Sequence, residues 1–513
     1  MTGDYDPMKM KKAKRLLLAA VLLLSSALLS GCVSQIEERE MADVSSIAIE
    51  AGASVPLEDG ADVRTMTATL YFLSPDGTML VPVTRDIQSL YGVSRAQAVL
   101  DALLAGPLEG ESGVFWPDIG AVYSERMLEV SSGVATVDLP AYARTLPQET
   151  LYAIRMAIAN TLTGFPEISY VNVLVGGREE GLDLGATLPV GTFSRVGDLH
   201  VCDRYNRLND QRNSSTGVTL LTTLYFPSAD GKLILPEVRS IEYAQVSPIE
   251  YLYTILEEMG KGTHNALACT NVPAPMDFIM EMPEIVRTED GYLAIELRLS
   301  DRLDKALRDT GLSRGVYMAM LTDTLMGFVP GVEGLRLGIG SEYINALAQD
   351  ETPDSRAIEF TQAVAVRSDF EGYVGAPAVL YYMDEENGML VRTQSVVPQA
   401  LAQDPREKLC ALIRLSDNEV FALPQDLKPE DILAVHAGND AMAVNLSSDF
   451  AAALSKLSDR YERAAVYAMV NTLTEGDGVE RVVFFFEGEQ KQALGGTLEM
   501  RGGFVRNPGM VVN

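Results

Sequence analysis

Cysteine, histidine and tryptophan are scarce in this chain of 513 residues: four, three and one respectively. No histidine lies four residues from another and no Cys-x-x-Cys occurs, which removes the usual zinc signatures. His200, His264 and His436 therefore read as surface or loop residues, and no metal or other cofactor is expected. No Walker loop is present, and nothing is read as a nucleophile elbow. Gly338-Ile339-Gly340 follows a strand-like run but lacks the third glycine of a dinucleotide fingerprint. Glu179-Glu180 and Glu257-Glu258 read as solvated faces, because carboxylates are abundant and few pairs do acid–base work. Positive charge is also short: 41 Lys and Arg against 71 Asp and Glu give a formal net charge of −30. Such a charge repels nucleic acid and anionic lipid surfaces.

A membrane-spanning run is missing too. Leu16–Leu29 is apolar for about fourteen residues, short of the ~20 a spanning helix needs. It follows Lys9, Lys11, Lys12, Lys14 and Arg15 and stops at Leu29-Ser30-Gly31-Cys32. A basic start, a short apolar run and a small-residue stop form a secretory signal; the start itself falls at Met1, Met8 or Met10. Leu29, Ser30, Gly31 and Cys32 resemble a bacterial lipobox, which implies cleavage before Cys32 and lipid attachment to its thiol; an uncleaved anchor is the other reading. Without residues 1–31, which hold five basic and two acidic residues, 36 basic face 69 acidic, a charge of −33. Residues 32–64 are acidic, small and without period, so they read as a flexible tether with an end-to-end distance of about 30 Å.

What the chain does have is one pattern written three times. Thr69-Leu70-Tyr71-Phe72, the turn Ser74-Pro75-Asp76-Gly77 and Met79–Arg85 read as a hairpin. Its counterparts open at Thr223 and Val379, 154 and then 156 residues on. A first helix follows each hairpin: Ala96–Leu104, Ile249–Met259 and Arg406–Leu415. Two short strands come next, as at Leu128–Val130 and Ala135–Leu139. A second helix then runs through Thr161-Leu162-Thr163, Thr324-Leu325-Met326 or Thr472-Leu473-Thr474 into an apolar strand that ends in glycine. In the first copy Leu151, Ile154, Ile158 and Leu162 share one face. Burying that face yields on the order of 10 kcal/mol gross, against about 1–2 kcal/mol of backbone entropy for each of some fifteen residues. The helix thus holds only when docked on a sheet.

The fold class expected is α+β: three tandem small domains, each a mixed sheet with two helices on one face. Their bounds are 65–200, 218–345 and 376–506, with a linker at 346–375. Repeats one and three share a tail, Leu184-Gly185-Ala186-Thr187-Leu188 with Phe193 and Arg195, and Leu494-Gly495-Gly496-Thr497-Leu498 with Phe504 and Arg506. Repeat two is read as lacking it. Arg85, Arg239 and Arg392 recur after a strand and read as hairpin flanks. Trp116 either plugs a domain edge or offers a partner contact. Cys410 sits in an apolar helical stretch and reads as core. Cys202 and Cys269 flank the second repeat in loop-like surroundings and are a candidate disulfide outside the cytoplasm, two free thiols being the equal alternative.

The hairpin with Asp-Gly turn, the Leu103-Leu104-Ala105-Gly106-Pro107 helix end and the Thr-Leu-Thr strand ending resemble the GerM, or GerMN, sporulation and spore germination domain. The resemblance covers 65–200 and 218–345 well and 376–500 more loosely, since Leu415-Ser416-Asp417 stands where Ala-Gly-Pro is expected. It implies a ring-building-motif-like fold and a non-enzymatic lipoprotein on the outer face of the cytoplasmic membrane of a Gram-positive bacterium. It implies envelope proteins as partners, a sporulation channel complex among them, with the membrane reached through Cys32 and a homo-oligomer admitted. Three copies depart from the two usual there. Two other readings stand beside it: a cell-wall glycan or small-solute binder with tyrosine-lined clefts, and an envelope hydrolase using unpatterned carboxylates.

Overall fold

A computed structural model of the chain describes residues 63–90, 94–120, 128–182, 188–212, 217–289, 291–353, 355–416, 420–438, 441–476 and 479–512. Cys32, the lipobox Leu29, Ser30 and Gly31, and the tether as far as residue 62 lie outside these residues.

Strands β1 (Val63–Leu73) and β2 (Leu80–Leu90) pair antiparallel along their whole length, with Leu70 opposite Val83 and Tyr71 opposite Pro82. The turn between them needs Gly77, whose φ is +72°, and the Asp76 carboxylate accepts from Ser74 Oγ and the Thr78 amide. Helix α1 (Arg95–Leu104) follows. Then β3 (Leu128–Ser131) pairs antiparallel with β4 (Val134–Leu139). Helix α2 (Gln148–Leu162) crosses over to β5 (Tyr170–Val175), which lies parallel to β4. The two-residue β6 (Phe193–Ser194) closes the sheet antiparallel to β5. Helix α3 (Val201–Arg212) leads to the second hairpin.

The order returns with one helix added before the crossover helix, so that this repeat and the next hold three helices and not the two expected: β7 (Val218–Pro227), β8 (Ile234–Tyr243), α4 (Pro248–Gly260), β9 (Glu284–Arg287), β10 (Leu293–Leu299), the added α5 (Arg302–Thr310), α6 (Arg314–Met326), β11 (Gly334–Ile339) and β12 (Glu342–Tyr343). After a small ladder of β13 (Ala346–Leu347) and β14 (Ile358–Glu359) it returns again. The third set is β15 (Gly375–Met383), β16 (Leu390–Pro398), α7 (Pro405–Ser416), β17 (Ile432–Ala437), β18 (Ala441–Leu446), α8 (Ser448–Ser455), α9 (Asp459–Leu473), β19 (Arg481–Phe486) and β20 (Gly503–Val505). In all three four-stranded sheets the central pair is parallel and both outer pairs are antiparallel. The class is α+β, as the pattern predicts.

Two details go beyond the periodicity. Each hairpin forms a ladder separate from its four-stranded sheet, so a repeat holds two sheets instead of one. Helix α2 packs on β1 as well as on β5 and β6, and every residue from Leu151 to Leu162 is buried. A helix enclosed all round must be apolar or hydrogen-bonded on every face, which explains Ala153, Ala157 and Ala159 beside the expected stripe. Helix α6 is enclosed in the same way from Gly315 to Met326.

The first two repeats share one continuous core, whereas the third has its own. Residues 346–375, expected as a linker, contribute to the shared core through Phe360, Ala365, Phe370, Tyr373 and Val374. Cys202 and Cys269 are free thiols in this structure, so the candidate disulfide is not formed. Cys202 lies on helix α3, not in a loop, and its thiol donates to Glu149 at 2.9 Å. Burial and that carboxylate push the thiol up to about 11, Glu149 contributing most. Cys410 is buried. Among the described residues no helix is long and apolar enough to cross a membrane, and no group of three or more His, Cys, Asp or Glu is placed to hold a metal.

Candidate functional site

The Thr-Leu motif at the end of the second helix explains itself first. Thr161 Oγ1 accepts from the amide of Tyr71 at 3.0 Å, and Thr324 Oγ1 from that of Tyr225 at 2.9 Å. A β1 or β7 amide facing the helix would otherwise be buried unpaired. The residue before that threonine handles the tail. Asn160 donates to the Val196 carbonyl at 3.1 Å and accepts from its amide at 2.8 Å, and Asn471 accepts from the Asn507 amide at 3.1 Å. Repeat two has Asp323 in this place.

These contacts set an arginine against the hairpin tyrosine. Arg195 donates to Tyr71 Oη at 3.1 Å and to the Thr163 carbonyl at 3.3 Å. Arg506 donates to Tyr381 Oη at 2.5 Å and pairs with Glu475. Glu475 also accepts from Tyr381 Oη at 2.8 Å and from Arg392 Nε at 3.1 Å. Burial opposes ionisation of Glu475, but these three donors outweigh it and hold the carboxyl below its ordinary range.

Repeat two has the same arginine, in the stretch expected to be a linker. Phe193 pairs with Val171, Phe504 with Val482, and Ala365 with Leu335; in each case the arginine stands two residues on, as Arg195, Arg506 and Arg367. The tail residue follows its sheet partner by 22 positions in repeats one and three but by 30 in repeat two, reckoned on those pairs. The tail is present there, delayed by an insertion.

In repeat two this face is filled. Arg367 is buried and pairs with Glu129 on β3 of the first repeat, with Asp323 Oδ2 at 3.8 Å from its Nε. Tyr225 Oη lies 3.2 Å from Thr136 Oγ1 on β4, and burial pushes the phenol up to about 12. The outer face of the first sheet thus rests on the tyrosine–arginine face of the second repeat. Thr192 completes the contact, its amide donating to the Leu221 carbonyl and its hydroxyl 2.8 Å from Thr223 Oγ1.

Glu179, expected on a solvated face, is fully buried in this contact. Its amide donates to the Met326 carbonyl at 2.9 Å, and its carbonyl accepts from Gly331 at 3.3 Å. Glu180 is paired with Arg144 and Arg178. Trp116 packs edge-on against Phe72 at 6.0 Å, and the adjacent Phe115 bridges to Leu73, so this loop closes the hairpin edge. His264 is exposed beside Glu237, and His200 is exposed.

The recurring arginines divide. Arg85 donates to the carbonyls of Ala102 and Gly106 and pairs with Glu111; Arg239 donates to those of Glu258 and Gly262 and pairs with Glu237. Both cap the last carbonyls of the first helix, and both need a left-handed glycine there: φ is +85° at Gly106 and +77° at Gly262. Arg392 is not their counterpart. It lies opposite Tyr381, the position of Pro82 and Pro236 in the other hairpins. The missing Ala-Gly-Pro of repeat three and its missing capping arginine are one change. Arg239→Ala should therefore cost about 2–3 kcal/mol in urea unfolding, because it strips carbonyls and the Glu237 carboxylate together. Arg392→Ala, half exposed, should cost less than about 1 kcal/mol; equal losses would contradict the distinction.

One string, Gly311-Leu312-Ser313-Arg314-Gly315, does have Gly-x-Ser-x-Gly spacing. It joins helix α5 to helix α6 instead of a strand to a helix. Ser313 Oγ accepts from the Val316 amide and donates to the Glu351 carbonyl, which is capping work. Among the described residues the twelve largest fully buried side chains include seven tyrosines, Tyr152, Tyr225, Tyr243, Tyr251, Tyr317, Tyr373 and Tyr381, which are therefore not available to line a sugar cleft.

No curated protein matches the chain. Among solved structures it is similar to the tandem GerMN domains of the sporulation protein GerM from Bacillus subtilis, at 13% identity over 56% of this chain and 98% of that one, with a TM-score of 0.22. It is also similar to a candidate lipoprotein from Clostridium perfringens, at 20% identity over 26% of this chain and 87% of that one, with a TM-score of 0.18. The family model described as Germane, sporulation and spore germination, matches residues 69–181 and 379–492, so the third repeat, expected to be the loosest, is one of the two matched. The chain therefore carries the Germane domain of sporulation and spore germination at residues 69–181 and again at 379–492.

Proposed function

We propose that this chain is a non-catalytic assembly protein of the cell envelope, made of three Germane-type modules at 65–200, 218–345 and 376–506. It is anchored through lipid on Cys32, held clear of the membrane by residues 32–64, and binds other envelope proteins during sporulation or germination. The observation that carries this reading is the tyrosine–arginine face. It is built in all three repeats by the same tail, and in repeat two it is occupied by a protein surface, the first sheet with Glu129 and Thr136. A face that recurs and already serves as a contact between modules is a docking device, and among the described residues nothing repeated in the three copies resembles a catalytic constellation.

Proximity labelling with a C-terminal fusion in growing and in sporulating cells tests this. Labelling of envelope proteins, with sporulation-channel components in sporulating cells, is the expected result. An Arg506→Glu variant should lose at least part of that labelling, since it reverses the charge on the half-exposed face of repeat three. Cytoplasmic labelling alone would overturn export and the assembly role together.

A further inference from the structure

The three tail arginines have unequal fortunes. Arg367 finds the carboxylates of Glu129 and Asp323, and Arg506 finds that of Glu475. Arg195 is exposed; it donates to the Thr163 carbonyl and the Tyr71 hydroxyl and lies over the Tyr71 ring at 6.0 Å, with no carboxylate partner among the described residues. In a chain with 71 acidic residues to 41 basic ones, an arginine on a built face without a carboxylate is conspicuous.

A matching carboxylate stands on the second repeat's sheet. Glu129 lies opposite Thr136 across the β3–β4 ladder, and Glu284 lies opposite Glu296 across the β9–β10 ladder. Thr136 pairs with Asn172 and Glu296 with Arg336, each one residue past the position that meets the tail. By register, then, Glu284 is the counterpart of Glu129. The other charges of that face are spoken for. Arg298 and Arg336 lie over the Tyr343 ring at 4.3 and 4.1 Å and pair with Glu296, and Arg298 also meets Glu281. Glu284 is exposed and has no cationic partner among the described residues.

We propose that the Tyr71–Arg195 face of one chain takes the repeat-two sheet of a second copy, Arg195 meeting Glu284, in the arrangement that already joins repeat one to repeat two. The contact repeats an interface the chain contains, and it pairs the charge each surface lacks. Because the two surfaces differ, the contact is heterologous, so each copy keeps one free face for the next. This rests on the reading of the chain as an assembly protein and names one partner for it.

Sedimentation velocity of the full-length chain in detergent, over a range of concentrations, tests the proposal. Wild type should associate with rising concentration and less so at high salt. Arg195→Glu and Glu284→Arg should each weaken association by about tenfold or more, and the double reversal in one chain should restore it. Arg195→Gln, which keeps a polar donor, should fall between. Melting curves of each variant separate a lost contact from a lost fold. A wild type that stays monomeric throughout, or reversals that leave association unchanged, overturns the self-contact. If that same wild type still labels envelope proteins in cells, the assembly role stands and the carboxylate belongs to another protein; if it labels none, both readings fall.

Discussion

Arg367→Ala should destabilise the protein by roughly 3–5 kcal/mol, the range for removing one member of a buried ion pair. The size follows from what is left behind. Glu129, Asp323 and Arg367 are all buried, and without the guanidinium two carboxylates remain in the shared core of repeats one and two. Neither can reach water without parting the sheet from the Tyr225 face. The loss should therefore appear as a lower urea midpoint and as new protease cleavage between the two repeats, with the third repeat's core unaffected. A second variant separates the ionic cost from lost packing. Arg367→Ala combined with Asp323→Asn puts into repeat two the residue that repeats one and three carry at Asn160 and Asn471, and removes one of the two buried carboxylates. It should recover part of the stability. If the double variant is no better than the single one, the loss comes from packing of the long side chain and the ionic account fails.

Arg367 also marks where reading the chain by spacing stops working. The hairpins, the first and the crossover helix of each repeat and the central strands are legible because local turn chemistry and hydrophobic period determine them, whereas the added helices α5 and α8 are not among the expected elements. The first helices begin and end within one residue of the expected Ala96–Leu104, Ile249–Met259 and Arg406–Leu415. The tail of repeat two is invisible to the same method. An insertion shifts it by eight positions relative to its copies, and Ala365 replaces the phenylalanine that announces the tail elsewhere. Only strand pairing restores the equivalence. Arg392 fails in the opposite direction: it looks like a third copy of Arg85 because it follows the same apolar run, yet its register is that of a proline. Glu179 looks solvated because it sits beside Glu180 in a charged string, and its burial depends on a second repeat closing over it. What sequence shows poorly here is contact between repeats, since no local pattern records which surface meets which.

Glu179 provides the second large effect, and it depends on pH. Its carboxyl is pushed up to about 7, above all by burial, against the opposing pull of Arg155 and of the Val190 amide. Arg155 Nη2 lies 3.6 Å from Glu179 Oε1, the Val190 amide donates to the same oxygen at 3.0 Å, and Oε2 is buried with no hydrogen bond. Arg155 itself donates to the Glu180 carbonyl at 2.9 Å, Glu180 is paired with Arg144 and Arg178, and among the described residues Arg155 is the cation paired with Glu179. A carboxyl whose folded pKa exceeds its unfolded value takes up a proton on folding. Stability from this group is thus complete below about 4.5, falls as pH rises toward 7, and stays low above it. The full change is on the order of 3 kcal/mol. Glu179→Gln keeps an acceptor for the Val190 amide but cannot ionise. It should match wild type within about 1 kcal/mol at pH 5 and exceed it by on the order of 3 kcal/mol at pH 8, read from urea midpoints. Parallel pH profiles for the two proteins would mean that Arg155 compensates the charge in full. Because Glu179 also bonds through its backbone to Met326 and Gly331, ionisation acts at the seam between repeats one and two, and the same pH rise should speed proteolysis there in wild type but not in the variant.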